Sequence, residues 1–192
     1  ELLKKYSKNS STTLAGIIGL NQNQVEELIS EFPNCYISNF NSPTNITIAL
    51  KKEHKNEIFN KLLKNKAMNV VEIDVQGGWH SLFVKKAAEE FIVYLNEFSF
   101  NESNLVTVYN NYTGKPFVSI SNLKTDLYYH IFKPVQWCQS IKNMIKTGST
   151  IFYEIGFGDQ LSKFVKYTNR RVKVFQSYNI EKLNQILETP LT

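Results

Sequence analysis

The order of apolar segments in the first 75 residues constrains the fold more than any other feature of the sequence. Short apolar runs, partly β-branched, alternate with two segments whose apolar residues recur at helical spacing. Asn21 is placed to cap the first of these helices, and the second, rich in lysine, is expected to bury Ile58, Leu62 and Leu63. The four strands are predicted at 14–20, 35–40, 46–50 and 70–75. The resulting βαββαβ order is typical of a ferredoxin-like sheet.

The rest of the chain alternates strand and helix, as a doubly wound α/β sheet does. Pro134 predicts the start of one helix. The amphipathic stretch 82–98 predicts another, whose inward residues are Phe83, Ala87, Phe91 and Leu95. Further elements are predicted as strands at 106–109, 151–155 and 172–175 and as helices at 123–132, 161–167 and 180–187. These are few strands for a parallel sheet, so part of the core is expected to lie outside these residues.

Composition argues against several classes of protein. No apolar run approaches the ~20 residues of a membrane span. The N-terminus has neither a methionine nor a signal-peptide core, which is typical of an internal start. Cys35 and Cys138 lie far apart without CxxC spacing, so two reduced thiols and a cytoplasmic protein are expected. Three scattered histidines give no metal-ligand spacing, so no metal site is predicted.

The net charge of +5 favours a solvated lysine surface, with an acidic partner as the alternative. The densest basic run consists of Lys163, Lys166, Arg170, Arg171 and Lys173. It interleaves with aromatic residues, but no RRM, KH, helix-turn-helix or zinc-finger signature accompanies it. Neither nucleic acid nor a membrane is therefore predicted as the partner, and a small acidic carrier protein remains a candidate.

His80 is the strongest candidate for chemistry in the chain. It follows an apolar strand and Gly77-Gly78, at the point where the next helix begins. A histidine held there can act as a general base because its imidazole titrates near neutral pH. The alternative is a structural histidine, and the sequence offers His80 no obvious nucleophile. Cys138 stands within a predicted helix and is expected to be a buried free thiol.

Seven short motifs, in the family's order, resemble the malonyl-CoA:acyl-carrier-protein transacylases and the acyltransferase domains of polyketide synthases. They extend over about residues 12 to 168. The segment 78–81, Gly-Trp-His-Ser, resembles the family's GxFHS active-site segment. The others are 14–28 (an AxxxGL strand with its helix), 38–43 (NxNSP), 46–49 (the next strand), 111–116 (NxTAxP), 134–137 (PVxW) and 154–158 (ExGPG). Each motif alone is weak evidence for the family, whereas seven motifs in the family's order are strong evidence.

The resemblance implies a ferredoxin-like βαββαβ small lobe, here residues 12–76, inserted in part of an α/β-hydrolase-like, doubly wound large lobe, here residues 77–192. It implies that a malonyl or similar short acyl group passes from coenzyme A to a serine. From there the group would pass to the phosphopantetheine thiol of an acyl carrier protein, in fatty-acid or polyketide biosynthesis. His80 would deprotonate the serine and then activate the thiol, whereas Gly78 and Ser81 would shape the junction. No bound cofactor is implied beyond the coenzyme A thioester substrate and the partner's phosphopantetheine.

The resemblance also points to residues around the substrate. Trp79 would crowd a methyl branch and favour malonyl over methylmalonyl, with simple packing as the alternative. Asn39 and Asn41 would hydrogen-bond substrate or stiffen the turn before Pro43, which is the more common role of such asparagines. His130 stands where the family usually has glutamine, and the contact there would run through a backbone carbonyl. The carrier would dock on basic surface formed by Lys163, Lys166 and Arg170.

The chain also departs from the family pattern. No Gly-x-Ser-x-Gly segment, no GQGxQ segment and no carboxylate-clamping arginine occur, so about the first third of the fold, with its serine, is expected to precede Glu1. On that expectation these 192 residues alone would be inactive. Phe157 replaces proline in the glycine turn 156–158, which is predicted as a tight connection rather than a phosphate cradle. Two alternatives stay open: a non-catalytic acyltransferase-like module that binds a carrier, and an acyl hydrolase of the same family.

Overall fold

The computed structural model describes residues 2–7, 11–101, 107–177, 181 and 184. By its contacts the chain divides into two compact units, Glu1–Ser140 and Ile141–Thr192. The predicted lobe boundary after residue 76 falls inside the first unit and stays a prediction. The first helices in the described residues are α1 (Leu2–Ser7), α2 (Gln22–Ile29), α3 (Lys55–Lys64), α4 (Lys85–Glu97), α5 (Ile120–Phe132) and α6 (Trp137–Lys146).

The first unit contains a four-stranded antiparallel sheet. Its strands are β1 (Thr12–Ile18), β2 (Cys35–Ser42), β3 (Asn45–Lys51) and β4 (Asn69–Ile73), in the order β2-β3-β1-β4. Ala15 of the central strand β1 pairs with Ile48 of β3 on one side and with Glu72 of β4 on the other. With α2 and α3 this is the predicted ferredoxin-like βαββαβ arrangement, and each strand ends within two residues of its predicted bounds.

The core of this sheet is shared by its strands and by α2 and α3. The buried residues include Ala15, Ile17, Ile46, Ile48 and Leu50 of the strands, Val25 and Ile29 of α2, and Ile58 and Leu62 of α3. A capping box starts α2: Asn21 Oδ1 accepts the Gln24 N–H, and the Gln24 side chain accepts the Asn21 N–H. The predicted burial of Leu63 is wrong, because this residue is 47% exposed. It lies one position past Leu62, about 100° around the helix from the buried stripe.

Two further helices, α4 and α5, pack on each other beside a 3₁₀ turn, Leu82–Val84. Val84, Ala88 and Phe132 form the second buried cluster of the unit. The predicted inward face of α4 is only partly confirmed, since Ala87 and Leu95 are buried but Phe83 and Phe91 remain half-buried.

A short stretch of parallel pairing connects the chain after α5 to β2. The Val135 N–H donates to the Ser38 carbonyl (2.8 Å), and the Phe40 N–H donates to the Val135 carbonyl (2.9 Å). These bonds hold residue 135 extended, so the prediction that Pro134 starts a helix is wrong, and α6 begins at Trp137.

The strand predicted at 106–109 is not formed in its described part. Residue 106 lies outside the described residues, residues 107 and 108 are in no strand, and Tyr109 makes a single bridge to Pro116.

The second unit is built on two parallel strands, β5 (Ile151–Glu154) and β6 (Lys173–Gln176), with α7 (Gln160–Thr168) between them in the chain. Tyr153 of β5 stacks on Phe175 of β6, with ring centroids 5.2 Å apart. The helix predicted at 180–187 lies largely outside the described residues. No described helix combines the length and the apolar character that a membrane crossing requires.

Candidate active site

The segment after β4 holds His80 in an uncommon backbone conformation. Its φ is +51°, in the left-handed region that residues other than glycine seldom adopt. Three hydrogen bonds fix the segment. The Gly78 N–H donates to Thr12 Oγ1 of β1 (2.9 Å), the Ser81 hydroxyl donates to the Gly78 carbonyl (2.6 Å), and the Phe83 N–H donates to Ser81 Oγ (3.3 Å). Strained positions of this kind concentrate at functional sites. Gly78 and Ser81 therefore shape the backbone that carries His80.

The imidazole of His80 is fixed through one ring nitrogen. Its Nδ1 lies 2.8 Å from the backbone carbonyl oxygen of His130. A carbonyl oxygen only accepts, so this bond requires the proton on Nδ1 and leaves the lone pair on Nε2. Burial lowers the pKa of His80 below its ordinary value of 6.5, and the hydrogen bond partly opposes that shift. His80 is therefore neutral at neutral pH, and its Nε2 can accept a proton.

The imidazole of His130 lies against the ring of His80. The ring centroids are 5.3 Å apart and the planes differ by 15°. Nε2 of His130 lies 3.5 Å from Nδ2 of Asn111. Burial lowers the pKa of His130, and the nearby charge of a protonated His80 lowers it further. The backbone contact expected at position 130 is thus present, accompanied by a ring contact that the sequence did not predict.

His80 lines two cavities of the first unit. The larger has a volume of about 850 Å³ and is mainly apolar and aromatic, with Leu2, Leu3, Trp79, Phe91, Tyr94, Leu127, His130 and Ile131 in its wall. The smaller, about 400 Å³, has a wall that includes Glu26, Cys35, Phe40, Phe132 and Lys133. Both volumes lie within the range of pockets that hold small molecules. The ring of His80 is therefore accessible from cavities large enough for a ligand.

Trp79 directly precedes His80 in the chain, and its side chain packs inside the first unit. Its half-buried side chain packs against the cluster that contains Val84 and Phe132, and it also contributes to the wall of the larger cavity. Its carbonyl oxygen accepts a hydrogen bond from the Ser38 hydroxyl at 3.0 Å. The position of Trp79 is compatible with both predicted roles, packing and contact with substrate.

The two asparagines of the 38–43 motif are engaged differently. Asn39 Oδ1 lies 2.6 Å from the Ser38 hydroxyl. Asn41 Nδ2 donates to Asn45 Oδ1 and to Thr47 Oγ1, both at 3.0 Å. Because both amide hydrogens of Asn41 are used inside the β2–β3 hairpin, the geometry favours the turn-stiffening interpretation for this residue.

In the second unit the start of α7 is already occupied by a carboxylate. Glu154 Oε1 accepts the Leu161 N–H (3.1 Å), and Oε2 accepts the Ser162 N–H (2.8 Å). These are backbone donors that an anion at a helix N-terminus would need. The turn at 156–158, with Gly156 at φ +142° and Gly158 at φ +85°, is therefore a capped strand-to-helix connection, as expected, and not a phosphate cradle.

The predicted carrier-binding residues also lie in or after α7. Lys163 pairs with Asp159 (2.8 Å), and this hydrogen bond raises the pKa of the Lys163 ammonium. Lys166 donates to the Val172 carbonyl at 2.7 Å. Lys163 and Lys166 are three positions apart on one helix and so share a face, while Arg170 follows the end of α7.

Three residues that shape these sites were not predicted individually: Ser38, Asn111 and Glu154. Each lies within a motif, respectively 38–43, 111–116 and 154–158. Membership in a motif was the signal that could have found them.

Comparison with known proteins finds malonyl CoA-acyl carrier protein transacylases among the relatives of this chain. No family model matches the chain. A polyketide-biosynthesis malonyl CoA-acyl carrier protein transacylase of Bacillus subtilis is 30% identical over 161 residues, which cover 81% of this chain and 54% of the relative. A malonyl CoA-acyl carrier protein transacylase of Staphylococcus aureus is 28% identical over 186 residues, 94% of this chain and 60% of the relative. The chain thus spans 54% and 60% of the length of these two relatives.

Solved structures agree with these relatives. A malonyl CoA-acyl carrier protein transacylase of Clostridium perfringens superposes with a TM-score of 0.88 at 25% identity, covering 97% of this chain and 60% of that one. A malonyl-transacylase in complex with a type II polyketide-synthase acyl-carrier protein gives a TM-score of 0.92 at 23% identity, covering 97% of this chain and 61% of that one. At 23% identity the second match is evidence for a shared fold alone. The mixed α/β architecture is that of these enzymes.

Proposed function

Because the chain is homologous to the malonyl-CoA:acyl-carrier-protein transacylases over most of its length, we propose that it is part of an acyltransferase with His80 as the general base. The enzyme moves a malonyl or similar short acyl group from coenzyme A to the phosphopantetheine thiol of an acyl carrier protein, in a cytoplasmic fatty-acid or polyketide pathway. The observation that carries the proposal is the 2.8 Å bond from His80 Nδ1 to the His130 carbonyl, which leaves Nε2 as the proton acceptor.

The proposed reaction has two halves that use the same nitrogen. In the first, Nε2 of His80 takes the proton of a serine hydroxyl while the serine oxygen attacks the thioester carbon, and coenzyme A leaves as its thiol after receiving that proton. In the second, Nε2 takes the proton of the carrier's thiol, which attacks the acyl-serine, and the proton returns to the serine. The coenzyme A thioester and the carrier's phosphopantetheine are substrates, and no bound cofactor is needed.

The proposal places the nucleophile outside these residues. No Gly-x-Ser-x-Gly segment occurs in the 192 residues, and the relatives extend well beyond the part that this chain matches. A serine in such a segment would sit on a strained strand-to-helix turn that exposes its hydroxyl. We therefore expect the isolated 192-residue chain to form no acyl-enzyme.

The test uses the whole protein that contains this chain, with radiolabelled malonyl-CoA and purified acyl carrier protein. His80→Ala is expected to lower the rate of carrier loading by about 10²–10⁴-fold, the usual contribution of a general base. His54→Ala is the matched control, because this histidine lies in the 3₁₀ turn Lys52–His54 with 36% of its side chain exposed, and it should load at the normal rate. Normal loading by His80→Ala removes His80 from the mechanism.

The same assay separates the alternatives. Free malonate in place of malonyl-carrier identifies an acyl hydrolase. Carrier binding without any labelled product identifies a non-catalytic carrier-binding module.

Carrier docking on Lys163, Lys166 and Arg170 is a separate part of the proposal. It is supported by their positive charge, because acyl carrier proteins are expected to be acidic partners. Charge reversal, for example Lys166→Glu, should raise the KM for the carrier and leave the KM for malonyl-CoA unchanged. Lys64→Glu at the exposed end of α3 is the control. If the KM for the carrier is unchanged in the α7 variants, the carrier docks on another surface.

A further inference from the structure

Both the backbone and the side chain of His130 contact the ring of His80. Its backbone carbonyl accepts the Nδ1 proton of His80 at 2.8 Å, and its imidazole stacks on the His80 ring with centroids 5.3 Å apart and planes 15° from parallel. Both contacts come from one residue of α5, the carbonyl bond from its backbone and the ring contact from its side chain. The separation is that of offset-stacked aromatic pairs.

This arrangement matters most when His80 carries a proton. A cation within about 6 Å of the centre of an aromatic ring is attracted by the electrons of the ring face. A neutral His130 offers such a face to the imidazolium form of His80. A protonated His130 would instead repel it, because like charges at this distance disfavour each other.

The surroundings of His130 favour the neutral ring. Nδ2 of Asn111 lies 3.5 Å from its Nε2, and an amide NH₂ group only donates, so a proton on Nε2 would oppose this contact. No carboxylate lies among the described residues of the larger cavity wall to compensate a second positive charge. Burial also lowers the pKa of His130, as does the charge of a protonated His80.

Other ionisable groups near the pair are few in the described structure. On α4 the phenol of Tyr94 shares the cavity wall, while Glu90 is already bound by Lys5 and Tyr6 of α1. On α5 itself Tyr128 and Tyr129 contact each other edge to face and pack against the cluster that contains Val84 and Phe132. Tyr129 also stacks on Tyr112 of the 110–116 turn.

The 3₁₀ turn before α4 carries no charged residue. On the other side of His80, Glu26 and Lys133 line the smaller cavity.

We propose that His130 is a positioning residue whose uncharged imidazole, stacked on the ring face of His80, supports the protonated form of His80 beyond what the carbonyl bond at Nδ1 provides. The role rests on the proposed function, since a base that takes a proton during catalysis needs its charged form stabilised. In other catalytic histidines a carboxylate partner fixes the tautomer and stabilises the charged ring. Here the carbonyl of His130 fixes the tautomer, and its neutral ring stabilises the charge.

The test separates the two contacts with two substitutions. His130→Gln keeps the backbone carbonyl and removes the ring, whereas His130→Phe keeps an aromatic face and removes the titrating group. NMR titration of the His80 ring in the whole protein that contains this chain, with labelled histidine, reports its pKa without any need for catalysis, so the result stands even if the proposed reaction fails. We expect the pKa of His80 to fall by about half a unit in His130→Gln and to be retained in His130→Phe.

A pKa of His80 that is unchanged or raised in His130→Gln overturns the proposal, because it would mean that the ring gives no support or repels. A second measurement needs no variant: in the wild-type chain the His130 signal must stay in its neutral form while His80 takes its proton. Titration of His130 before His80 would also overturn it. In the whole enzyme, His130→Gln is expected to lower kcat about threefold at constant KM, the equivalent of half a pKa unit.

Discussion

A Cβ atom built on Gly78 would lie 2.5 Å from Cδ2 of Phe83, so the glycine and the aromatic ring are in direct contact. The same Cβ would lie 3.3 Å from Cβ of Ala49 on β3. The Phe83 ring is also in edge-to-face contact with Tyr36 at a centroid distance of 5.2 Å, so displacing the ring would disturb that contact. The glycine thus lets the backbone pass between sheet and ring two residues before His80.

The first prediction is that Gly78→Ala destabilises the fold and displaces His80. An added methyl at this contact requires the ring or the backbone to move, which typically costs about 1–3 kcal/mol. Urea denaturation of the purified chain measures the loss. Gly16→Ala in β1 is the control, because apart from its chain neighbours no atom of the described residues lies within 4 Å of its Cβ position, and it should be neutral or slightly stabilising. Equal stability of the two variants would mean that Gly78 is not tightly packed.

The second prediction concerns pH. Burial lowers the pKa values of His80 and His130 below 6.5, so both are neutral in the folded and the unfolded chain above that pH. As the pH falls below 6.5, the unfolded chain takes up protons before the folded chain does, and the free energy of unfolding decreases. Between about pH 7.5 and about pH 5.5 the loss is at most about 1.4 kcal/mol for each of the two histidines.

Urea denaturation at several pH values measures this dependence. The double variant His80→Gln/His130→Gln should flatten the curve over this window. A wild-type stability that is constant from about pH 7.5 to about pH 5.5 would show that the two rings are not held in their neutral forms.

The sheet of the first unit could be predicted from the sequence because its signals are local. Alternating apolar runs, the Asn21 cap and the turn before Asn45 each depend on a few adjacent residues. The error at Pro134 has its cause in a contact that is distant in the chain. Pro134 resembles a helix start, but pairing of Val135 with β2 keeps that segment extended.

The candidate site could be predicted from the sequence to a similar extent. The position of His80 follows from a strand, two glycines and a helix start, all adjacent in sequence. Its contacts with His130 join residues 50 positions apart, and no periodicity or spacing encodes them. Likewise the amide hydrogens of Asn41 could have served a substrate or a turn, and only the packed hairpin shows both used internally.

The third prediction tests the cap on α7. Glu154 accepts two backbone N–H groups at the helix start, so Glu154→Ala should destabilise the second unit by about 1–2 kcal/mol. Asp159→Asn is the matched control, because this neighbouring acid makes an exposed i,i+4 ion pair with Lys163 and should cost at most about 0.5 kcal/mol. Thermal denaturation of both variants compares them, and an equal loss would contradict the capping role.

The fourth prediction is that Cys35 does not react with thiol reagents in the folded protein. Burial raises the pKa of its thiol to about 12, so the reactive thiolate is a fraction on the order of 10⁻⁴ at about pH 8. In Cys138→Ala, where Cys35 is the only thiol, labelling should be slow in buffer and rapid in urea. Rapid labelling without urea would show that the smaller cavity, which Cys35 lines, gives a reagent access to an ionisable thiol.

The fifth prediction decides between the two roles of Asn41. Its amide hydrogens bind Asn45 and Thr47, so Asn41→Ala and Asn41→Asp both lose these donors and should each lose about 1 kcal/mol of stability. If the side chain only stiffens the hairpin, both variants of the whole enzyme keep their KM for malonyl-CoA. If Oδ1 also binds substrate, Asn41→Ala raises that KM and Asn41→Asp, which keeps an acceptor oxygen at the same position, raises it less. A raised KM in Asn41→Ala with undiminished stability would reverse the structural interpretation and make Asn41 a substrate ligand.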